Sequence, residues 1–248
     1  MNARFYAPDA NGPGLVSLPA DEAAHLTRVL RLKAGDAVTV FNGRGAAFHA
    51  EVEAVGRQGV DIRVGPPAPA AREARVAITL VQAVLKGDKM DDVVRDAVML
   101  GVAAIQPLLT TRSEVSRATL ERGRRQERWE RVAVSSAKQC GRAVVPPVHQ
   151  PIDFAALSEA VRGTRLPGPV LMLVEPGASA HTVGMSALDA ASPGEAAVVI
   201  GPEGGWTPDE IATAAAFCRL VTMGGPTIRA DAMPVVAIAA LFARWGEW

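Results

Sequence analysis

The sequence predicts two domains: a small β-rich unit, then a larger α/β unit built on a mostly parallel sheet. Three observations predict this. Residues 1–65 alternate apolar and polar side chains between glycine turns, and residues beyond 74 set continuous apolar runs between helical repeats. Between them lies GPPAPAARE, residues 65–73. Alternation suits a sheet with one wet face, whereas an all-apolar strand needs cover on both faces. A Pro- and Ala-rich stretch suits a linker, so the expected boundaries are 1–70 and 74–248.

Each element follows from its local pattern. Leu26, Val29 and Leu30 recur at helical spacing, which predicts a helix over 21–31. Val38 and Val40 flank Thr39, and Asn42-Gly43-Arg44-Gly45 turns the chain back into AAFHAEVEAV. Gly56-Arg57-Gln58-Gly59 then leads into Val60, Ile62 and Val64, alternating with Asp61 and Arg63. Such hairpins make a small antiparallel sheet or barrel. Past the linker, VAITLV (76–81) reads as a strand, and Met90, Val93, Val94 and Ala97 mark one face of a helix. Residues 104–109 form the next apolar segment, and a long charged helix is expected over 117–139. VLMLV (170–174), AAVVI (196–200) and RLVTM (219–223) read as buried strands, with helices over 208–217 and from about 233. Thr207-Pro208-Asp209-Glu210 is a capping box with proline at the first helical position, so that helix start is well specified.

Composition excludes several classes of function. The 26 Lys and Arg balance 26 Asp and Glu, so a uniformly basic coat for nucleic acid is ruled out. The balance is uneven along the chain. Residues 71–150 hold fourteen bases and nine acids, and residues 151–248 hold five and ten. A polyanion would meet the middle of the chain. At 49% hydrophobic residues the chain can bury a sizeable core. Its longest apolar run, PVVAIAALFA, is about half of the ~20 residues a membrane span requires. The opening MNARFYAPDANG lacks the shape of a secretory leader. Cys140 and Cys218 read as reduced packing residues, and His25, His49, His149 and His181 fall at no metal-ligand spacing. A soluble cytoplasmic protein without metal or membrane is expected.

The chemistry points to strand ends. In open α/β sheets ligands sit beyond the carboxyl ends of the strands. Three such ends stand out: Val174-Glu175-Pro176, the run Ile200-Gly201-Pro202-Glu203-Gly204-Gly205, and Met223-Gly224-Gly225-Pro226. Glycines at 201, 204 and 205 permit positive φ and let bare backbone approach a flat ligand. Neither a dinucleotide-binding G-x-G-x-x-G nor a P-loop occurs, so the loops are expected to read adenine or ribose through backbone groups.

IGPEGG (200–205), MGGPTIRADA (223–232), KGDKMDDVVRDAVMLGV (86–102), TTRSEV (110–115) and KQCGRAVVPPV (138–148) together resemble the ribosomal RNA small-subunit methyltransferase E family. ARFY (3–6), HLTRVLRLKAGD (25–36) and FNGRG (41–45) resemble that family's PUA-like RNA-binding domain. The resemblance implies a SPOUT-superfamily domain with a deep trefoil knot, a PUA-like β-barrel, and a homodimer. It also implies S-adenosylmethionine as methyl donor, N3 of a uridine in 16S rRNA as target, and the small ribosomal subunit as partner. Carried over by position, Ile200, Gly201, Pro202, Glu203, Gly204 and Gly205 form one wall of the donor pocket. Met223, Gly224 and Ile228 form another, and Leu173, Val174 and Glu175 the third. The sequence departs from the family pattern at Val98 and Met99, Lys138, Pro226 and Asp231. A methyltransferase acting on another RNA or on a ribose 2′-oxygen, and a non-catalytic RNA-binding assembly factor, are the alternatives.

Residues 112–142 hold nine bases and four acids, nearly all the bases being Arg. A solvated helix paired to Glu121, Glu127 and Glu130 is the ordinary reading of such a run. The surplus of guanidinium forks favours phosphate contact. Arg112, Arg124, Arg125, Arg128 and Arg142 are the candidates, joined by Arg4, Tyr6, Arg28, Arg31 and Arg44 from the β unit. Uracil N3 lies on the pairing edge and carries a proton, so the base must be unpaired before it reacts. Asp231 is the candidate proton acceptor and Arg229 the candidate stabiliser of the anion, both by position after the last glycine loop.

Overall fold

The computed structural model describes residues 3–163, 166 and 168–247. They divide into two compact units: residues 1–73 with 134–145, and residues 74–133 with 146–248. The return of 134–145 to the first unit has no signature in the sequence.

The first unit holds strands β1 (Arg4–Tyr6) and β2 (Gly14–Ser17), helix α1 (Ala20–Ala24), and strands β3 (Ala37–Phe41), β4 (Ala47–Gly56) and β5 (Gly59–Pro67). The strands form one mixed sheet in the order β1-β3-β4-β5-β2, with β1 parallel to β3 and the other pairs antiparallel. β1 and β2 are its two edges, and the parallel β1–β3 pair makes the sheet mixed where a purely antiparallel one was expected. Its core is Phe5, Leu26, Val38, Val40, Phe48, Val52, Ile62 and Val64. Alternation placed these residues correctly because every second side chain of a strand faces the same way.

The helix expected over 21–31 is α1 followed by a π-helical turn, His25–Val29. Only Leu26 of the expected apolar stripe is buried; Val29 and Leu30 are exposed. The wider turn rotates those two side chains away from the sheet. The expected linker is partly strand: β5 runs to Pro67, and the amides of Ala68 and Ala71 donate to Ala47 and Gly141 carbonyls. Val145 also donates to the Gly43 carbonyl, tying 134–145 to the FNGRG turn. Lys138, one of the departures from the family pattern, reaches Glu22 at 2.7 Å and lies over the Phe5 ring.

The second unit contains β6 (Ala77–Ala83), α2 (Lys89–Leu100), β7 (Ala104–Leu109), α3 (Arg117–Arg122) and α4 (Arg125–Cys140, whose last residues join the first unit). It continues with β8 (Ile152–Asp153), α5 (Phe154–Arg162), β9 (Val170–Leu173), β10 (Val183–Gly184) and β11 (Glu195–Ile200). α6 (Pro208–Ala214), β12 (Arg219–Thr222) and α7 (Met233–Arg244) complete it. All seven strands are parallel, in the order β10-β12-β9-β11-β6-β7-β8. The central strands β9 and β11 are buried almost throughout, as continuous apolar runs demand.

α2 buries Met90, Val93, Val94, Ala97 and Val98, and Gly101 ends it at φ 105°, accepting the left-handed turn that frees the last carbonyls for capping. The single helix expected over 117–139 is instead two. Ser116 caps α3, and Arg124 at φ 47° breaks the chain before α4 restarts. Leu120 of α3 and Trp129 of α4 are both buried. α6 has the expected capping box but ends at Ala214, three residues early. Its Glu210 is buried, with one carboxylate oxygen accepting from Thr207 and the other from the Thr111 amide. Among the described residues no helix is long and apolar enough to cross a membrane, and no cluster of His, Cys, Asp and Glu could hold a metal.

Candidate functional site

The loops that leave β9, β11 and β12 converge on one cavity of about 400 Å³, within the range of small-molecule sites. Because the strands are parallel and adjacent, their carboxyl ends deliver three loops to one edge of the sheet. Leu173, Val174 and Glu175 line it from β9; Ile200, Gly201, Pro202, Glu203 and Gly205 from β11; Met223, Gly224 and Ile228 from β12. Arg229 and Asp231 are also on its wall. Gly204 is not. A Cβ there would sit 3.2 Å from Arg112 Cβ, and the Gly204 carbonyl accepts from Arg112 Nη1 at 2.8 Å. Gly204 therefore fixes the back of the loop rather than facing the cavity.

The glycines serve different ends. Of the three in IGPEGG only Gly205 has positive φ, at 67°, where its amide closes a turn onto the Pro202 carbonyl. Gly201 is needed for space: a Cβ there would lie 2.9 Å from the Trp206 ring. That ring is buried, and its Nε1 donates to the Leu173 carbonyl at 2.8 Å, tying the β11 loop to β9. Sequence reasoning missed Trp206, and also Lys89, Thr222, Thr227 and Met233, all on the cavity wall. Lys89 was findable, since it opens α2 just after the carboxyl end of β6.

Charge on the wall is mixed. Glu175, Glu203 and Asp231 face Lys89 and Arg229, leaving one surplus carboxylate. Lys89 Nζ lies 3.1 Å from Glu203 Oε1, which also accepts from the Lys86 amide. Partial burial pushes the Glu203 carboxyl up, but these backbone and lysine hydrogen bonds outweigh it and hold the group below its usual value. Arg229 grips Asp231 with both arms, Nε to Oδ1 at 3.0 Å and Nη2 to Oδ2 at 2.9 Å. The Arg229 hydrogen bond holds Asp231 below the ordinary carboxylate range. Both acids stay ionised at neutral pH. Asp231 does not cap α7, whose N-cap is Ala232 without a side-chain hydrogen bond.

The proposed phosphate ligands are mostly committed elsewhere. Arg142 is 4% exposed and bound through 2.5–3.2 Å hydrogen bonds to Glu73, so it cannot offer its fork to RNA. Arg4 stacks on Phe41 and donates to the Arg142 carbonyl, and Tyr6 packs against the same Phe41 ring. Arg44 is tied to Pro8 and Asn11. In the second unit Arg124 pairs with Glu127, Arg125 with Asp88, and Arg128 with Asp88 and Asp91. Of the nine candidate arginines, only Arg28 and Arg31 have no hydrogen bond or ion pair from their side chains among the described residues.

Known proteins share this organisation. An RNA methyltransferase domain family matches residues 72–242, and an RNA methyltransferase PUA domain family matches residues 18–65. The ribosomal RNA small subunit methyltransferase E of Synechocystis is 30% identical over 95% of this chain and 75% of its own. The solved structure of such an enzyme from Neisseria gonorrhoeae, bound to S-adenosyl methionine, is 30% identical. It matches with a TM-score of 0.84 over 99% of this chain and 98% of that one. A methyltransferase from Legionella pneumophila, in complex with the same cofactor, is 28% identical with a TM-score of 0.86 over 98% of both chains. With both domain families matched in order and a full-length relative at that identity, this chain belongs to the ribosomal RNA small subunit methyltransferase E family.

Proposed function

We propose that this protein binds S-adenosylmethionine in the cavity at the ends of β9, β11 and β12 and methylates N3 of a uridine in 16S rRNA. The observation that carries this reading is the cavity itself: three glycine loops, a Trp-braced floor and one surplus carboxylate. Backbone groups of Gly201, Gly205 and Gly224 suit the hydrogen-bonding edge of an adenine, and Leu173, Ile200 and Ile228 suit its faces. The surplus negative charge favours a cationic ligand. When bound, the donor supplies a methyl group made electrophilic by its positively charged sulfur.

The chain's own residues then manage one proton and one developing charge. Uracil N3 is a nucleophile only after it loses its proton. Asp231 is the acceptor, but while Arg229 grips it the carboxylate is a weak base. Arg229 is largely exposed and free to swing to a uracil oxygen, which stabilises the anion and releases Asp231 to take the proton. The knotted arrangement of the three loops and a homodimer belong to the same reading. α7 presents intermediate-burial Val235, Val236, Ala239 and Ala240, which a second copy would cover.

The test uses small ribosomal subunits that lack the modification, incubated with the full chain and S-adenosylmethionine. Methylation at N3 blocks the pairing edge, so reverse transcription stops at one uridine of 16S rRNA. A methylated ribose without a stop, or no methylation, overturns the assignment.

A further inference from the structure

Arg28-Val29-Leu30-Arg31 departs from the behaviour of every other proposed RNA contact. Arg28 and Arg31 are exposed, and their guanidinium groups have no partner among the described residues. Between them Val29 and Leu30 are 64% and 41% exposed, two of the five large apolar side chains that the described residues leave open. The backbone beneath is nonetheless held. The Leu30 amide donates to His25 and the Leu32 amide to Leu26, both at 3.1 Å, and the Thr27 hydroxyl donates to Ala23. Leu26 anchors the turn in the core of the first unit. Arg31 sits at φ 56°, a conformation an L-residue adopts at a cost. A fixed turn thus holds two aliphatic side chains out into water with a free cation on each side.

We infer that this turn is a wedge for ribosomal RNA: Arg28 and Arg31 hold phosphates while Val29 and Leu30 pack against unstacked bases or sugars. This rests on the reading of the chain as an rRNA methyltransferase and adds where, and how, the RNA is gripped. Charge selects the occupant. Lys33 follows within two residues and is also exposed, and the turn itself carries no carboxylate. Apolar side chains that open a base step, flanked by arginines on the backbone, are a known way for proteins to hold nucleic acid. Helices α3 and α4 offer no equivalent: none of the exposed large apolar side chains lies on them, and the forks of Arg125 and Arg128 are taken by Asp88 and Asp91.

The two halves of the wedge separate experimentally. Binding of the full chain to 16S rRNA is measured across a salt series for the wild type, Val29→Ser/Leu30→Ser and Arg28→Gln/Arg31→Gln. The arginine variant is expected to bind about tenfold more weakly, with the salt slope lower by roughly 1.5, the release expected from two phosphates. The aliphatic variant is expected to lose about fivefold with an unchanged slope, since burying apolar area releases no counterions. Equal thermal midpoints and equal S-adenosylmethionine affinity check that both variants fold. Wild-type affinity in the aliphatic variant overturns the wedge, and so does preferential binding of wild type to anionic phospholipid vesicles. A wild-type chain that binds S-adenosylmethionine but no rRNA instead sinks the functional reading on which the wedge rests.

Discussion

The sequence proposes the glycine loops of the second unit and arginines spread through the chain as functional, yet the fold treats them differently. The loops converge: eleven of the twelve proposed donor contacts line one cavity. The nine candidate arginines disperse, seven into ion pairs and carbonyl contacts, and only Arg28 and Arg31 of the nine lack a side-chain partner among the described residues. The difference lies in what determines each kind of site. Strand order and backbone geometry bring the loops together, and glycine and proline write that geometry locally. An arginine's fate depends on which carboxylate the fold delivers to it. Glu73 meets Arg142 across 69 residues, and Asp88 meets Arg125 across 37.

The largest effect is expected at the proposed proton acceptor. Asp231→Asn is expected to slow methyl transfer at least about a hundredfold while S-adenosylmethionine affinity stays within about twofold. Its pH behaviour follows from the Arg229 bond. A carboxyl held below its ordinary value is ionised across the neutral range, so the rate falls only in acid, as pH drops through that lowered pKa. Arg229→Gln removes the cause, so the acid limb moves up towards the ordinary carboxylate range. An Asp231→Asn enzyme of full activity removes Asp231 from the mechanism and leaves the pair as a structural brace.

Next in size are the two glycines that the sequence treated as equivalent. Gly201→Leu drives a side chain into Trp206 and breaks the brace to Leu173. Donor affinity should fall roughly 10–100-fold by calorimetry, the scale of an overpacking strain of about 1–3 kcal/mol. Gly204→Ala meets Arg112 alone, its Cβ at 3.2 Å and its backbone oxygen at 3.6 Å, away from the cavity, and should change affinity by less than about threefold. Equal losses in both variants would mean that the loop rearranges on binding.

Legibility followed the same divide. The parallel sheet, the strand-end loops and the capping box of α6 were readable because periodicity, glycine and proline act over a few residues. The π turn at His25–Val29 was not, since Leu26, Val29 and Leu30 fit helical spacing equally well. The break at Arg124 was hidden because arginine is a good helix former and rarely takes positive φ. Gly204's outward role depended on Arg112, ninety-two residues away in sequence.

Arg142 acts on stability. It was expected on an RNA face, and it is a buried cation held by Glu73. Arg142→Ala leaves Glu73 unpaired and should lower stability by about 2 kcal/mol, a figure reduced because Glu73 is about one-third exposed. The salt slope of RNA binding should not move. A fall in slope with unchanged stability would restore Arg142 to the RNA footprint.

The smallest effect is expected where the sequence looked most basic. Arg124 is 74% exposed at the start of α4 and pairs with Glu127 in the same turn, an arrangement usually worth less than about 1 kcal/mol. Arg124→Gln removes that pair but also relieves nothing at φ 47°, because glutamine resists positive φ as arginine does. Stability should change by less than about 0.5 kcal/mol, and the salt slope of rRNA binding by much less than the unit expected of a phosphate contact. Arg124→Gly separates the two influences: it loses the same charge but tolerates the left-handed backbone, so it should be at least as stable as Arg124→Gln. If either variant lowers the slope by a full unit, the pair with Glu127 opens on RNA, and Arg124 joins the wedge as a second grip.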